Sequence, residues 1–208
     1  MISDDETAQL ADRMVSLLRR TWGIDRPIAW LRVVIRLLAE GAPVPITRIA
    51  DEIGVAEKCV RRVLRRVPES RWTTDGQLSD LVVVSVPTPY RLSTPTGVLH
   101  VASGVDALLV PVLLGWPATL TTTCQVTGTA ILLEMWANEI VEVEPDHAVA
   151  SVFAHPELVT TRYRQVGSGQ TFFRSDAAAS RWLASHPDYI TMPVRTAGRY
   201  VNRLAGND

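Results

Sequence analysis

Cysteine is nearly missing: Cys59 and Cys124 are the only two in 208 residues, far apart in the chain. There is no CxxC pair and no Cys/His spacing of a zinc site, which argues against a disulfide framework and a structural metal. Lysine is scarcer still. Lys58 is the single lysine among 21 basic residues, a bias that suits a GC-rich bacterial genome more than any function. Charge of one sign is also lacking, since the formal net charge is −1. The chain as a whole therefore has no pull toward nucleic acid or membrane, and an anionic partner has to be met by a local patch. Long apolar runs are absent as well, because Pro or Gly breaks each one far short of a membrane span. The N-terminus, MISDDETAQLADRM, lacks the basic and apolar regions of a secretory signal, so a cytoplasmic location is expected. What remains is a composition of 47% hydrophobic and 21% charged residues, ordinary for a soluble protein of one large or two small domains.

The most informative stretch is His100 to Gly115, HVASGVDALLVPVLLG. Ser103 and Asp106 stand three apart, directly ahead of an apolar run, in the spacing of a capping box. The helix so started is almost wholly apolar and is expected to be buried, with Pro111 kinking or restarting it and Gly115 ending it. A polar pair at such a terminus reads either as a plain cap or as a place where positive potential meets a bound anion.

Ahead of it, residues 4–22 and a segment from Pro27 to Gly41 carry apolar stripes at helical spacing. ITRIADEIGV reads as a short helix ending at Gly54, and Ala56 to Val67 as another. Arg71-Trp72-Thr73, the turn Asp75-Gly76 and a strand from Leu81 to Val86 complete a winged-helix-like module over residues 1–90. Lys58, Arg61, Arg62 and Arg65 form an exposed basic face on its last helix, the alternative nucleic-acid contact. Residues 91–208 read as a mixed α/β core with a small antiparallel sheet, making the whole chain α+β. Its strands are expected at 90–92, 98–101, 119–124, 130–136, 139–144, 148–153, 171–173 and 189–194, the last at an edge because Pro193 cannot donate. Helices are expected from Ser175-Asp176 to about Ser185 and from Thr196 to Leu204.

From about Ile28 to the end this order of pieces resembles the organomercurial (alkylmercury) lyase family. Ala102 to Gly115 is similar to the family segment in which a cysteine precedes an aspartate by three, followed by an apolar helix. Cys124 with Thr127-Gly128 resembles its Cys-x-x-Thr-Gly turn, Val143-Glu144-Pro145 its Val-Glu-Pro, and Phe172-Phe173 the aromatic pair beyond its second catalytic cysteine. The resemblance implies a winged-helix-like N-terminal region, an α+β core, and a chemistry of two thiolates and one carboxylate. The thiolates hold the mercury of an organomercurial, and a proton delivered to carbon breaks the bond. Both thiolates are replaced here: Ser103 stands where the first falls and Gly167, in VGSGQ, where the second falls. Asp106 is kept, and Cys124 corresponds to the cysteine usually regarded as structural.

Mercury is a soft cation that needs thiolates, and a serine hydroxyl is hard and stays protonated at neutral pH. The resemblance with these departures implies a site remodelled for another small molecule, with no cofactor or metal. The expected catalytic residues are Asp106, as proton donor or acceptor, and Ser103, orienting substrate. Gly167, Ser168, Gly169, Trp116 and Arg164 are the expected substrate contacts, with Arg162 and Arg174 near the same turn. Trp116 and Trp136 are expected to pack the core or line the pocket. His100, three residues before Ser103, is a candidate base for an activated serine. A non-enzymatic binding module and a winged-helix regulator are the competing readings.

Overall fold

Seven helices and eleven strands occur among the residues that this computed structural model describes, 3–67, 70–136, 138–155 and 169–207. α1 (Asp4–Trp22) starts at Ser3, whose hydroxyl accepts from the Glu6 N–H while the Glu6 carboxylate accepts from the Ser3 N–H. Two orphan donors are satisfied reciprocally, and Asp4, Asp5 and Glu6 complement the helix dipole. Gly23 closes the helix at φ 66°, in the left-handed region that a side chain disfavours. α2 (Pro27–Leu38) begins with a proline whose missing N–H costs nothing in a first turn. α3 (Ile46–Ile53) and α4 (Glu57–Leu64) follow, turned by Gly54. α4 is shorter than its apolar pattern suggested, since Arg65 already caps it.

A hairpin of β1 (Arg71–Trp72) and β2 (Leu78–Asp80) comes next, and Leu78 also bridges to Val44. The expected strand from Leu81 to Val86 is not continuous. Asp80 accepts from both the N–H and the hydroxyl of Ser85 and from the Ser79 hydroxyl, folding the chain into a tight loop that encloses β3 (Val83–Val84), which pairs elsewhere. A side chain that captures nearby backbone donors competes with a sheet ladder, and here it wins.

The expected small antiparallel sheet is larger than its sequence signals suggested. β3, β5 (Gly97–Val101), β4 (Arg91–Thr94), β6 (Ala118–Thr123), β7 (Ala130–Trp136) and β8 (Glu139–Glu144) form a six-stranded sheet in that order, every pair antiparallel. A second sheet has the order β10 (Phe172–Phe173), β9 (Val149–Phe153), β11 (Tyr189–Pro193), with β11 at an edge as Pro193 required. α6 (Asp176–Leu183) and α7 (Val194–Ala205) complete the described elements.

α5 (Gly104–Leu114) lies at the centre, touching α2, α7, β5 and β9. Val105, Ala107, Leu108, Leu109, Val110, Pro111 and Leu113 are all buried, so the helix has no solvent face, as its uniformly apolar sequence demands. Pro111 sits inside it without ending it, and Gly115 caps it at φ 67°. No described helix is long and apolar enough to cross a membrane.

Candidate functional site

Ser103 has extended backbone at the N-cap of α5, which aims its hydroxyl back over the first turn. Oγ accepts from the Asp106 N–H at 3.2 Å and donates to Asp106 Oδ2 at 2.8 Å. Gln170 Oε1 lies 3.3 Å from the same oxygen. A hydroxyl has one proton, so the carboxylate and the amide oxygen compete for it, and the shorter contact is to the carboxylate. Ser103 is 1% exposed.

Burial pushes the Asp106 carboxyl up to about 7, against the hydrogen bonds from the Ser103 hydroxyl and backbone that favour its charged form. No guanidinium or ammonium offsets that desolvation among the described residues. The group is therefore poised to hold or release a proton near neutrality. Tyr90 belongs to the same cluster. Its hydroxyl donates to the Gln170 carbonyl at 3.4 Å, and its ring meets Phe172 edge-on at 6.3 Å. Burial raises its phenol, a hydrogen bond with Thr171 opposes this, and the negative charge of Asp106 adds to the rise.

Gly104 allows α5 to approach the 170–172 segment this closely, and Gly169 lets the same segment pass the Tyr189 ring. The Gly104 N–H donates to the Gln170 carbonyl at 2.6 Å, and a Cβ on Gly104 would stand 2.8 Å from that oxygen. A Cβ on Gly169 would stand 2.1 Å from Tyr189 Cζ. Ser151, fully buried in β9, fixes the segment from behind: its hydroxyl donates to the Gly169 carbonyl at 2.6 Å and accepts from the Thr171 N–H at 3.0 Å. Gly169→Ala is expected to destabilise the protein by about 1–3 kcal/mol through overpacking against the Tyr189 ring. Urea denaturation checks this, and an unchanged midpoint would contradict the packing.

Ser103, Asp106 and the residue next to Gly169 are thus brought together. Gly167, Ser168, Arg162 and Arg164 lie outside the described residues. Trp116 is half-buried just past Gly115, at the other end of α5 and some 20 Å from Ser103 by the helical rise. Trp136 is 67% exposed, which corrects its expected core position. Ile131, Leu133 and Met135 take the inner face of β7, and the two-residue period puts Trp136 on the other. His100 is engaged elsewhere, its Nδ1 accepting from the Thr88 N–H at 3.3 Å. Lys58, Arg61, Arg62 and Arg65 are exposed on α4, with Arg61 3.7 Å from Glu57.

Sequence reasoning missed Gln170, Tyr90 and Ser151. Ser151 had a readable signal, a hydroxyl in the otherwise apolar run Val149-Ala150-Ser151-Val152-Phe153. Gln170 and Tyr90 had none, because contacts 67 and 80 residues distant in sequence place them.

Sulfur is not part of the cluster. Cys59 is half-buried on α4 and Cys124 is buried in the turn after β6, both as free thiols. Burial raises the Cys124 thiol, but hydrogen bonds from the Thr127 hydroxyl and from the N–H groups of Arg174, Val126 and Thr127 outweigh it and lower the net value. The Gln125 N–H donates to the Phe172 carbonyl and ties that turn to β10. Among the described residues no group of three His, Cys, Asp or Glu side chains is placed to hold a metal ion. The site offers hard oxygen donors and one proton that moves near pH 7.

A sequence model of alkylmercury lyases matches residues 84–206. The chain is 32% identical over 169 residues to the alkylmercury lyase of Staphylococcus epidermidis, covering 81% of this chain and 78% of that one. It is 29% identical over 195 residues to the alkylmercury lyase of Streptomyces lividans, covering 93% and 90%. The crystal structure of the mercury-bound form of MerB2 has the same fold, with a TM-score of 0.76 at 16% identity over 94% of this chain and 98% of that one.

Proposed function

Because the chain belongs to the alkylmercury lyase family, we propose that it keeps the family's scaffold and carboxyl group but acts on a small organic molecule by acid/base chemistry, without thiolate-assisted cleavage of carbon–mercury bonds. One observation carries this reading. The Ser103–Asp106 pair occupies a buried helix terminus, its carboxyl titrating at about 7, with an oxygen at position 103 in place of sulfur. A thiol in that position would be acidified by the helix dipole and would bind soft metals, whereas a serine caps the helix and holds its proton. Gly167 brings no side-chain ligand to the second thiolate position that the resemblance assigns to it. Asp106 then gives a proton to, or takes one from, a bound substrate, and Ser103 holds the carboxyl and the substrate in register. The reaction class that fits is a lyase-type cleavage or rearrangement assisted by one proton transfer. Gly167, Ser168, Gly169 and Arg164 are the proposed substrate contacts.

Incubation with phenylmercury and excess free thiol tests the negative half of this reading. Benzene release is expected to equal that of a protein-free control, and release above it that disappears in Asp106→Asn would overturn the proposal.

A second reading rests on α4. Its exposed Lys58, Arg61, Arg62 and Arg65 lie on one face, and a Cβ at Gly76, in the β1–β2 turn, would stand 3.9 Å from the Arg61 guanidinium. Basic helix and hairpin thus lie side by side, as a winged-helix module over residues 1–90 would need to contact duplex DNA, with 91–208 as its sensor. Steeply salt-dependent DNA binding, weakened in Arg62→Gln/Arg65→Gln, would favour this regulator over the enzyme.

A further inference from the structure

Away from Ser103, a groove of about 770 Å³ runs between α1, the start of α2 and the end of α7. Its walls carry Arg19, Arg26, Arg32 and Arg203 against Asp12 and Asp25, leaving two positive charges in excess on a chain whose net charge is −1. Arg203 is already held, bonding both oxygens of Asp12 at 3.0 and 3.2 Å. Arg19, Arg26 and Arg32 make no ion pair among the described residues. Three unpaired guanidiniums converging on a concavity repel one another, and a polyvalent anion relieves that repulsion.

One further feature points the same way. α2 opens into the groove through Ile28 and Ala29 with no side-chain cap and no acidic residue in its first turn, unlike α1 with its three acids.

We propose that the groove between α1, α2 and α7 binds a small phosphorylated ligand, its phosphate or diphosphate group held by Arg19, Arg26 and Arg32. A carboxylate would neutralise only one of the excess charges, while a phosphate ester or diphosphate matches both. The volume lies in the range of small-molecule sites, about 300–1,000 Å³, and an open groove bordered by three helices suits a compact ligand better than a rigid duplex. None of Ser103, Asp106 and Gln170 lines the groove, so the site stands independently of the reaction proposed for that cluster.

Calorimetric titration of the full chain with inorganic pyrophosphate and with ADP, at fixed ionic strength, tests it. Saturable one-to-one binding is expected. Arg19→Gln/Arg32→Gln should weaken it at least ~10-fold, as the loss of charge-assisted hydrogen bonds implies. Arg62→Gln/Arg65→Gln, which removes the same charge from α4, should leave it unchanged. Circular dichroism of both variants confirms that these exposed substitutions leave the fold intact. The proposal fails if neither probe gives saturable heat, if the groove variant binds as well as the native chain, or if the α4 variant weakens equally. It also fails if a 20-base-pair DNA duplex binds through the same arginines and pyrophosphate does not displace it.

Discussion

Restoring one sulfur by Ser103→Cys is expected to leave carbon–mercury cleavage at the rate of a protein-free thiol control. The new thiol would sit at the N-terminus of α5, where the dipole favours the thiolate, but position 103 is 1% exposed, so labelling should need a small mercurial ion rather than a bulky alkylating reagent. Labelling and cleavage separate because groups that act as a unit are not additive: one member returned to a dismantled constellation recovers almost nothing. Mercury captured by a single thiolate keeps its exchangeable second position, and neither the Asp106 carboxyl nor the Gln170 amide supplies a soft donor there. Adding Gly167→Cys to the same chain is the informative comparison. The double variant should release benzene from phenylmercury while the single variant does not. Cleavage by Ser103→Cys alone would show that the second thiolate is dispensable, and the account of this site would fall with it.

Asp106→Asn is expected to have two large and opposite effects. Turnover of the native substrate should fall at least ~10²-fold, the usual worth of a positioned general acid or base, while ligand affinity changes little because the amide keeps the shape and the hydrogen bond to Ser103. Retained affinity with no turnover in the native chain either would identify a binding protein. Stability should move the other way. The folded carboxyl titrates at about 7 because of its burial, well above the ordinary carboxyl value near 4. Between those two values the native state binds more protons than the unfolded chain, so stability is fully present at pH 4 and declines as pH rises to 7. The decline amounts to roughly 4 kcal/mol at most. Asp106→Asn removes that slope, so the variant should match the native protein near pH 4 and exceed it at pH 8. Urea midpoints at pH 4.5, 6 and 8 read this directly, and parallel curves would show a carboxyl that ionises freely. For a reaction that uses Asp106 as proton donor, activity should fall with a midpoint near pH 7.

Both results trace back to the way Gly104 lets the start of α5 meet the backbone of Gln170 and Thr171. The Gly104 N–H to Gln170 carbonyl contact brings the 170–173 segment against the helix terminus, burying Ser103 and leaving Asp106 only partly exposed. Without that approach Ser103–Asp106 is an ordinary solvated cap, and its carboxyl has no reason to titrate near neutrality. A sequence reader sees the cap and not the cover.

The two ends of α5 illustrate how far local signals reach. Ser103, Asp106 and Gly115 fixed both helix boundaries, because capping depends on a few neighbouring residues. Trp116, one residue beyond, looked like a pocket residue only because the family's organic group needs an apolar wall. The length of α5 carries it away. At Asp80 a local signal was overlooked: an acidic side chain with Ser79 and Ser85 close by was sufficient to break the apparent strand at 81–86.

The amino-acid order alone determined most of the helices and strands, the apolar character of the central helix, and the absence of cysteine at positions 103 and 167, for these depend on residue identity and on neighbours a few positions away. Tertiary structure alone decided that Gln170 meets Ser103, that Tyr90 and Ser151 hold the segment around it, that Trp136 faces outward, and that three unpaired arginines share one hollow. Those outcomes depend on pairing register and on contacts across most of the chain, and the shifted carboxyl depends on burial, which exists only after the pieces have packed.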